Sequence, residues 1–126
     1  MHENEIAKVA FNAALNVHKN LGPGLLESAY EECLLYEIQK NGLYVTKQQA
    51  LPLIYEDIKL DIGYRVDLLV ENKLIIEIKS VEAINDVHLA QVLTYLKLSG
   101  CKLGLLINFN VALLKHGVKR IINGYL

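Results

Sequence analysis

The sequence has no tryptophan, one methionine, two phenylalanines, two prolines and two cysteines among its 126 residues. Each scarcity narrows the reading. Cys33 and Cys101 lie far apart, with no C-x-x-C spacing and no paired histidines beside them, which argues against a zinc site. Both sit in apolar stretches and read as buried free thiols. With prolines only at positions 23 and 52, there is no Pro-rich linker, and no internal repeat or low-complexity tract is present. No apolar run reaches the ~18 residues that a membrane span needs. The first residues, Met-His-Glu-Asn-Glu, are acidic rather than basic, so no signal peptide is expected and a cytoplasmic location is.

What is present fits a globular chain. Hydrophobic residues make up 52% and charged residues 21%, near the usual averages. The length suits a single domain, 1–126, that buries roughly two-thirds of its unfolded surface. Net charge is −1, which alone argues against a strong nucleic-acid binder, but the charges are unevenly placed. Residues 1–86 hold all 14 acids and 8 Lys or Arg, a balance of −6; residues 87–126 hold no acid and 5 Lys or Arg, a balance of +5. Such a split forms a basic face beside an acidic pocket if folding keeps the halves apart, and averages out if folding mixes them.

Hydrophobic periodicity gives the elements. Residues 4–20 place Ile6, Ala10, Ala13, Ala14 and Val17 on one helical face, and Gly22-Pro23-Gly24 ends that run. A second helix is predicted over 26–40, stopping at Asn41-Gly42. Residues 43–48 and 51–55 are β-prone, and Glu56-Asp57 marks a turn. From Ile62 to Val70 the pattern alternates with period two. Residues 73–79 form the next strand, and Asn85 or Asp86 caps a helix running to about Ser99. Residues 103–108 read as a buried strand, and 118–122 as either a last strand or a short helix. The order α-α-β-β-β-α-β implies an α/β fold, a mixed β-sheet flanked by helices.

Chemistry concentrates at Glu77-Ile78-Lys79. Residues two apart on a strand share a face, so Glu77 and Lys79 point one way and Ile76 and Ile78 the other, into the core. Asp67 lies on the preceding strand. A two-residue loop of Glu71 and Asn72 pairs Asp67 with Ile76 and separates the acids. A three-residue loop of Val70, Glu71 and Asn72 pairs Leu69 with Lys73 and makes Glu77 the diagonal neighbour of Asp67 on one face. Asn72 suits the left-handed position of such a loop, and the three-residue loop is the expectation. Two carboxylates that close repel unless a cation lies between them, and hard oxygen ligands suit Mg²⁺ or Mn²⁺. Lys79 beside them is placed to hold or deprotonate a water, or to neutralise charge on a phosphate. The alternative is a salt bridge on an amphipathic strand.

Asp67, a turn and Glu77-x-Lys79, with helices before and after, resemble the PD-(D/E)XK nuclease superfamily. Upstream, Gly24-Leu-Leu-Glu27-Ser-Ala-Tyr30 resembles the signature of its GxxExxY family; downstream, Gln91-Val-Leu-Thr-Tyr95 matches the Q-x-x-x-Y often found on the following helix. Val66 stands where the usual Pro precedes the first Asp. The likeness runs from about Asn4 to Arg120 and implies a restriction-endonuclease-like fold. It further implies that Asp67 and Glu77 ligate the metal together with the Ile78 carbonyl, and that Glu27 reaches it, often through water. Lys79 orients the nucleophilic water, Gln91 bonds near the metal or the substrate phosphate, and Tyr30 and Tyr95 line or buttress the site. Helical spacing puts Glu27 with Tyr30, and Gln91 with His88 and Tyr95, on common faces. Packing for the two tyrosines, a solvent-facing place for Gln91 and a helix-dipole role for Glu27 are the competing readings.

Lys115, His116, Lys119 and Arg120 form a basic cluster that suits a nucleic-acid backbone or a solvated tail. Gly22-Pro23-Gly24 lacks the G-K-S/T of a phosphate loop, and no serine stands in a nucleophile elbow. Three functions are consistent with these residues: metal-dependent hydrolysis of phosphodiesters in DNA or RNA, a catalytically silent binding module of the same fold, and hydrolysis of a small phosphorylated molecule. A nuclease this small is expected to need a second copy or a protein partner to grip its substrate.

Overall fold

Ile6, Ala10, Ala13, Ala14 and Val17 form the buried stripe of helix α1 (Glu3–Leu21) in the computed structural model, which describes all residues from Met1 to Leu126. His2 caps this helix: its Nδ1 accepts from the Asn4 N–H at 3.0 Å, while Glu5 accepts from the His2 N–H at 3.0 Å. Helix α2 (Glu27–Lys40) has no side-chain cap. The loop before it is held by Tyr30 instead, whose hydroxyl donates to the Gly22 carbonyl at 2.6 Å and accepts from the Leu25 N–H at 3.1 Å.

The sheet follows: β1 (Val45–Tyr55), β2 (Ile58–Val70) and β3 (Leu74–Lys79), then helix α3 (Asp86–Ser99), β4 (Leu103–Asn108), a 3₁₀ turn (Leu114–His116) and β5 (Val118–Ile122). Strands lie in the order β1-β2-β3-β4-β5, with β3 and β4 parallel and every other pair antiparallel. α3 is the crossover between the parallel pair, as the connection rules require. Residues 43–48 and 51–55, read from sequence as two runs, contribute to one long strand. Its pairing shifts between Leu51 and Leu53, at Pro52, a position that an edge strand tolerates because the missing N–H faces no neighbour. The undecided tail is the second edge strand, β5.

Apolar burial falls on both faces. The larger cluster joins α1 and α2 to Leu68, Leu74, Ile76, Ile78 and Ile107; the smaller joins α3, through Val92, Tyr95 and Leu96, to Ile75 and Leu106. Ile76 and Ile78 are buried on the α1–α2 side, as strand parity predicts, so Glu77 shares its face with Ile75 and α3. This is a restriction-endonuclease-like α/β architecture. Cys101 is buried; Cys33 is only half-buried, at an apolar groove between α1 and α2, and both are free thiols.

The β2–β3 hairpin departs from both registers considered from sequence. Residues 71–73 form the loop and Val70 pairs with Leu74, Leu69 with Ile75 and Leu68 with Ile76, which brings Asp67 opposite Glu77. Glu71 and Asn72 both adopt positive φ (53° and 54°), and the Lys73 N–H closes the turn on the Val70 carbonyl at 2.9 Å. The sequence expectation placed the loop one residue early, at 70–72, but kept the acids on one face. The Glu71 conformation is sustained by tertiary bonds: its N–H donates to the Tyr44 carbonyl at 2.7 Å, and its carboxylate accepts from the Tyr44 N–H at 2.7 Å.

Between the 3₁₀ turn and β5, Gly117 touches the end of β4: its N–H donates to the Leu114 carbonyl and its carbonyl accepts from the Asn108 N–H, each at 2.8 Å, and a Cβ there would overlap the Asn108 carbonyl oxygen. Gly117→Ala is therefore expected to destabilise the chain by about 1–3 kcal/mol or more, read as a lowered urea midpoint; an unchanged midpoint would show that this contact is not tight in solution.

Candidate active site

Asp67 and Glu77 are locked face to face across β2 and β3. The Asp67 N–H donates to Glu77 Oε2 at 2.7 Å, and the Ile78 N–H donates to Asp67 Oδ2 at 2.7 Å. Each carboxylate thus takes a backbone bond that the neighbouring strand's carbonyl would otherwise accept. Glu77 is 4% exposed. Burial, and next the charge of Asp67, push its carboxyl from 4.5 up to about 8; the Lys79 ammonium pulls in the opposite direction. Lys79, two residues along on the same face, is half-buried and has no ion-pair partner.

Helix α2 supplies two further acids. Glu27 begins the helix and its Oε2 accepts from the Ser80 N–H at 2.9 Å, while Ser80 Oγ donates to the Leu25 carbonyl at 2.7 Å. Glu27 therefore ties the α2 entry to the chain just after Lys79 and is turned to the backbone rather than to Asp67 and Glu77. Glu31, one turn on, was not singled out from sequence. Its Oε1 accepts from Gln48 Nε2 at 2.6 Å, and the same amide lies 3.3 Å from Asp67 Oδ1. Burial chiefly, and Asp67 in part, raise the Glu31 carboxyl above the usual range. Its four-residue spacing from Glu27 is the signal that marks it. Asn108, 2% exposed, was also missed. Its side chain accepts from the Val81 N–H at 3.1 Å and donates to the Val81 carbonyl at 3.0 Å, clamping the loop after Lys79.

The remaining predicted residues separate. Tyr95 is buried on α3, and Gln91 Nε2 donates to its hydroxyl at 3.0 Å. Burial, with the Glu77 charge second, raises the Tyr95 hydroxyl above its usual range, while Gln91 itself is exposed. Tyr30 does not line the site: it is fully buried, stacked on Phe109 at 4.4 Å, with its hydroxyl committed to the 22–25 loop. His88 serves in the α3 cap, accepting from the Asn85 N–H at 3.1 Å. Lys119 and Arg120 lie on opposite faces of β5. Lys119 pairs with Leu106, which pairs with Glu77, so it shares the carboxylate face; Arg120 bonds Asn4 on the α1 side. A cleft of about 290 Å³ lined by Asn108, His116, Lys119 and Glu82 adjoins the end of β3 and β4.

No group of three or more His, Cys, Asp or Glu side chains is close enough to hold a metal by itself. Asp67 and Glu77 are two hard donors, and Mg²⁺ is commonly held by one or two carboxylates with waters completing its octahedron. A proton on Glu77 near neutral pH marks a place where positive charge is wanted. The donor set fits such a cation, with Glu27 outside it.

Over residues 4–121 the chain matches the family model of the PD-(D/E)XK nuclease superfamily, and it belongs to that superfamily. Its members are nuclease-like proteins of nucleic acids that generally use divalent metals. No curated protein and no solved structure matches the chain. No helix is long and apolar enough to cross a membrane.

Because folded Glu77 holds its proton more tightly than the unfolded chain does, its contribution to stability is fully present below pH 4.5 and is lost as pH rises through about 8. Glu77→Gln keeps the acceptor for the Asp67 N–H and removes the titration. The metal-free variant should match the wild type at acidic pH and be the more stable above pH 8, in urea melts across that range; parallel profiles would refute a raised Glu77.

Proposed function

We propose that this chain is a metal-dependent phosphodiesterase of DNA or RNA whose working site is Asp67, Glu77 and Lys79. The observation that carries the reading is the carboxylate pair, Glu77 buried and Asp67 half-buried, fixed by two 2.7 Å backbone bonds, with an unpaired ammonium on the same face. Asp67 and Glu77 hold Mg²⁺ or Mn²⁺. When bound, the cation supplies Lewis-acid polarisation of the scissile phosphate and acidifies water. Lys79 Nζ orients the attacking water and neutralises charge growing on the phosphate oxygens. Glu31 reaches the site through water and takes the role that the sequence suggested for Glu27, whose own task is to position the Lys79–Ser80 backbone. Gln91 and Tyr95 flank the carboxylates, and Lys119 with His116 offers phosphate contacts along the adjoining cleft. Arg120, on the other face, is left out.

The GxxExxY branch is the one we infer. Gly24 (φ 97°), Glu27 and Tyr30 act as one device here: the glycine allows the turn, the acid ties it to Ser80, and the tyrosine hydroxyl pins its backbone. A silent binding module is the second reading. It is favoured by the carboxylates' engagement with backbone N–H groups and by the absence of a third ready ligand.

Labelled single- and double-stranded DNA and RNA, incubated with Mg²⁺, Mn²⁺ or chelator, separate the two. Metal-dependent cleavage is expected, reduced at least about 100-fold in Asp67→Ala and in Lys79→Ala and less in Glu27→Gln. Either metal at about 100 times its Kd should also stabilise the wild type by roughly 2.7 kcal/mol, and should not stabilise Asp67→Ala. Metal stabilisation without cleavage by any form selects the binding module; cleavage surviving both substitutions rejects the site.

A further inference from the structure

Past the carboxylate site, β1 and β2 continue as a two-stranded arm whose outer part no helix covers. Its cross-strand pairs are Leu51 with Tyr64, Leu53 with Leu60, and Tyr55 with Ile58, and Ile62 lies at the irregularity opposite Pro52. Directly opposed residues share a face, and alternation carries that face along the ribbon. One side of the arm is therefore an unbroken apolar stripe. At its base, Leu51 is buried against α3 and the Tyr64 ring lies 6.2 Å from that of Tyr95. Further out the cover ends: Tyr55 is 61% exposed, Ile58 56% and Ile62 53%. Lys59, paired with Ile54, belongs to the other face, and no charge interrupts the stripe.

We propose that this stripe is the contact surface of a homodimer, two copies packing their β1–β2 arms face to face about a twofold axis. A two-stranded ribbon on its own is marginal in water and needs a layer against its apolar face. With Leu60 and Tyr64 included, the exposed part of the stripe amounts to roughly 500 Å² per copy, at the upper end of what a monomer leaves uncovered in one patch. Two such stripes remove about 1,000 Å² of apolar surface, and their flanking backbone and polar margins bring the total into the range of about 1,200–2,000 Å² for a stable interface. The stripe offers the same residues from both sides, as an isologous contact demands. Edge-to-edge pairing is the other route for a strand pair. Pro52 and the shifted pairing beside it break the outer edge of β1, and the free edge of β2, which β3 leaves at Leu68, is interrupted at residues 61–63 with Gly63 at φ 84°, so the face is the more continuous surface. Asp67 is three residues beyond Tyr64 on the same strand. On the nuclease reading above, the dimer sets two carboxylate sites a fixed distance apart on one rigid ribbon pair.

Sedimentation velocity of the full chain over a micromolar to submillimolar series tests this directly. The expected result is a species of twice the 14.2 kDa chain mass, lost in Ile58→Lys/Ile62→Lys and retained in Ile54→Lys on the opposite face. The double variant should keep the wild-type far-ultraviolet spectrum and its thermal response to Mn²⁺, so that loss of the dimer and failure of the metal site are told apart. A wild type that stays monomeric throughout overturns the proposal and points to a different protein as the cover. A dimer that survives the double substitution overturns it as well. If the double variant does not fold, amide exchange of the wild type decides: protection of residues 53–64 should rise with concentration, and concentration-independent protection rejects the arm as the interface.

Discussion

Everything at this site depends on two hydrogen bonds that cross between β2 and β3. In an ordinary ladder, the amides of Asp67 and Ile78 bond to carbonyl oxygens. Here they bond to the side chains of Glu77 and Asp67 at 2.7 Å each. The exchange has two effects. It orients each carboxylate without a separate supporting residue, since the backbone is the support. It also brings two acids together in a place where water is scarce, so that one of them keeps its proton up to about pH 8. The fold tolerates this pair because one proton, or one cation, balances it. Lys79 lowers the cost but stands too free to cancel it.

The surrounding elements fix where that pair can be reached. α1 and α2 fill one face of the sheet with aliphatic side chains, and α3 covers the other only in part. The loop after Lys79 is tied from two directions, by Glu27 from α2 and by Asn108 from β4. The positioning of Lys79 therefore draws on three elements far apart in sequence, brought together by the parallel β3–β4 pairing.

What the sequence made legible was local. The ends of α3 carry their own signals, Asn85 and Gly100, and were placed correctly. Parity along residues 74–79 put Glu77 and Lys79 on one face without any knowledge of the sheet. The exact hairpin register was not legible, because Glu71 takes a left-handed conformation that its residue type disfavours and that Tyr44, distant in the chain, sustains. Glu27 looked like the helix acid nearest the metal because a motif gives an order of residues, not the direction in which a carboxylate turns. Glu31 carried only its helical spacing, and Gln48 no signal at all. Tyr30 was offered as a site residue, but its place was decided by Phe109, which no local pattern connects to it. Lys119 and Arg120 read as one cluster until residues 118–122 proved to be a strand, and a strand sends neighbours to opposite faces.

The double clamp of Asn108 on Val81 has one more consequence. Asn108 grips the N–H and the carbonyl of residue 81, atoms that nearly every amino acid carries, and Glu27 likewise grips the N–H of residue 80. Position 81 is free to vary in side chain while the holding positions are not; Ser80 is held twice, since its hydroxyl also donates to the Leu25 carbonyl. Drift in this loop can change what meets a substrate at the mouth of the site without moving the lysine behind it.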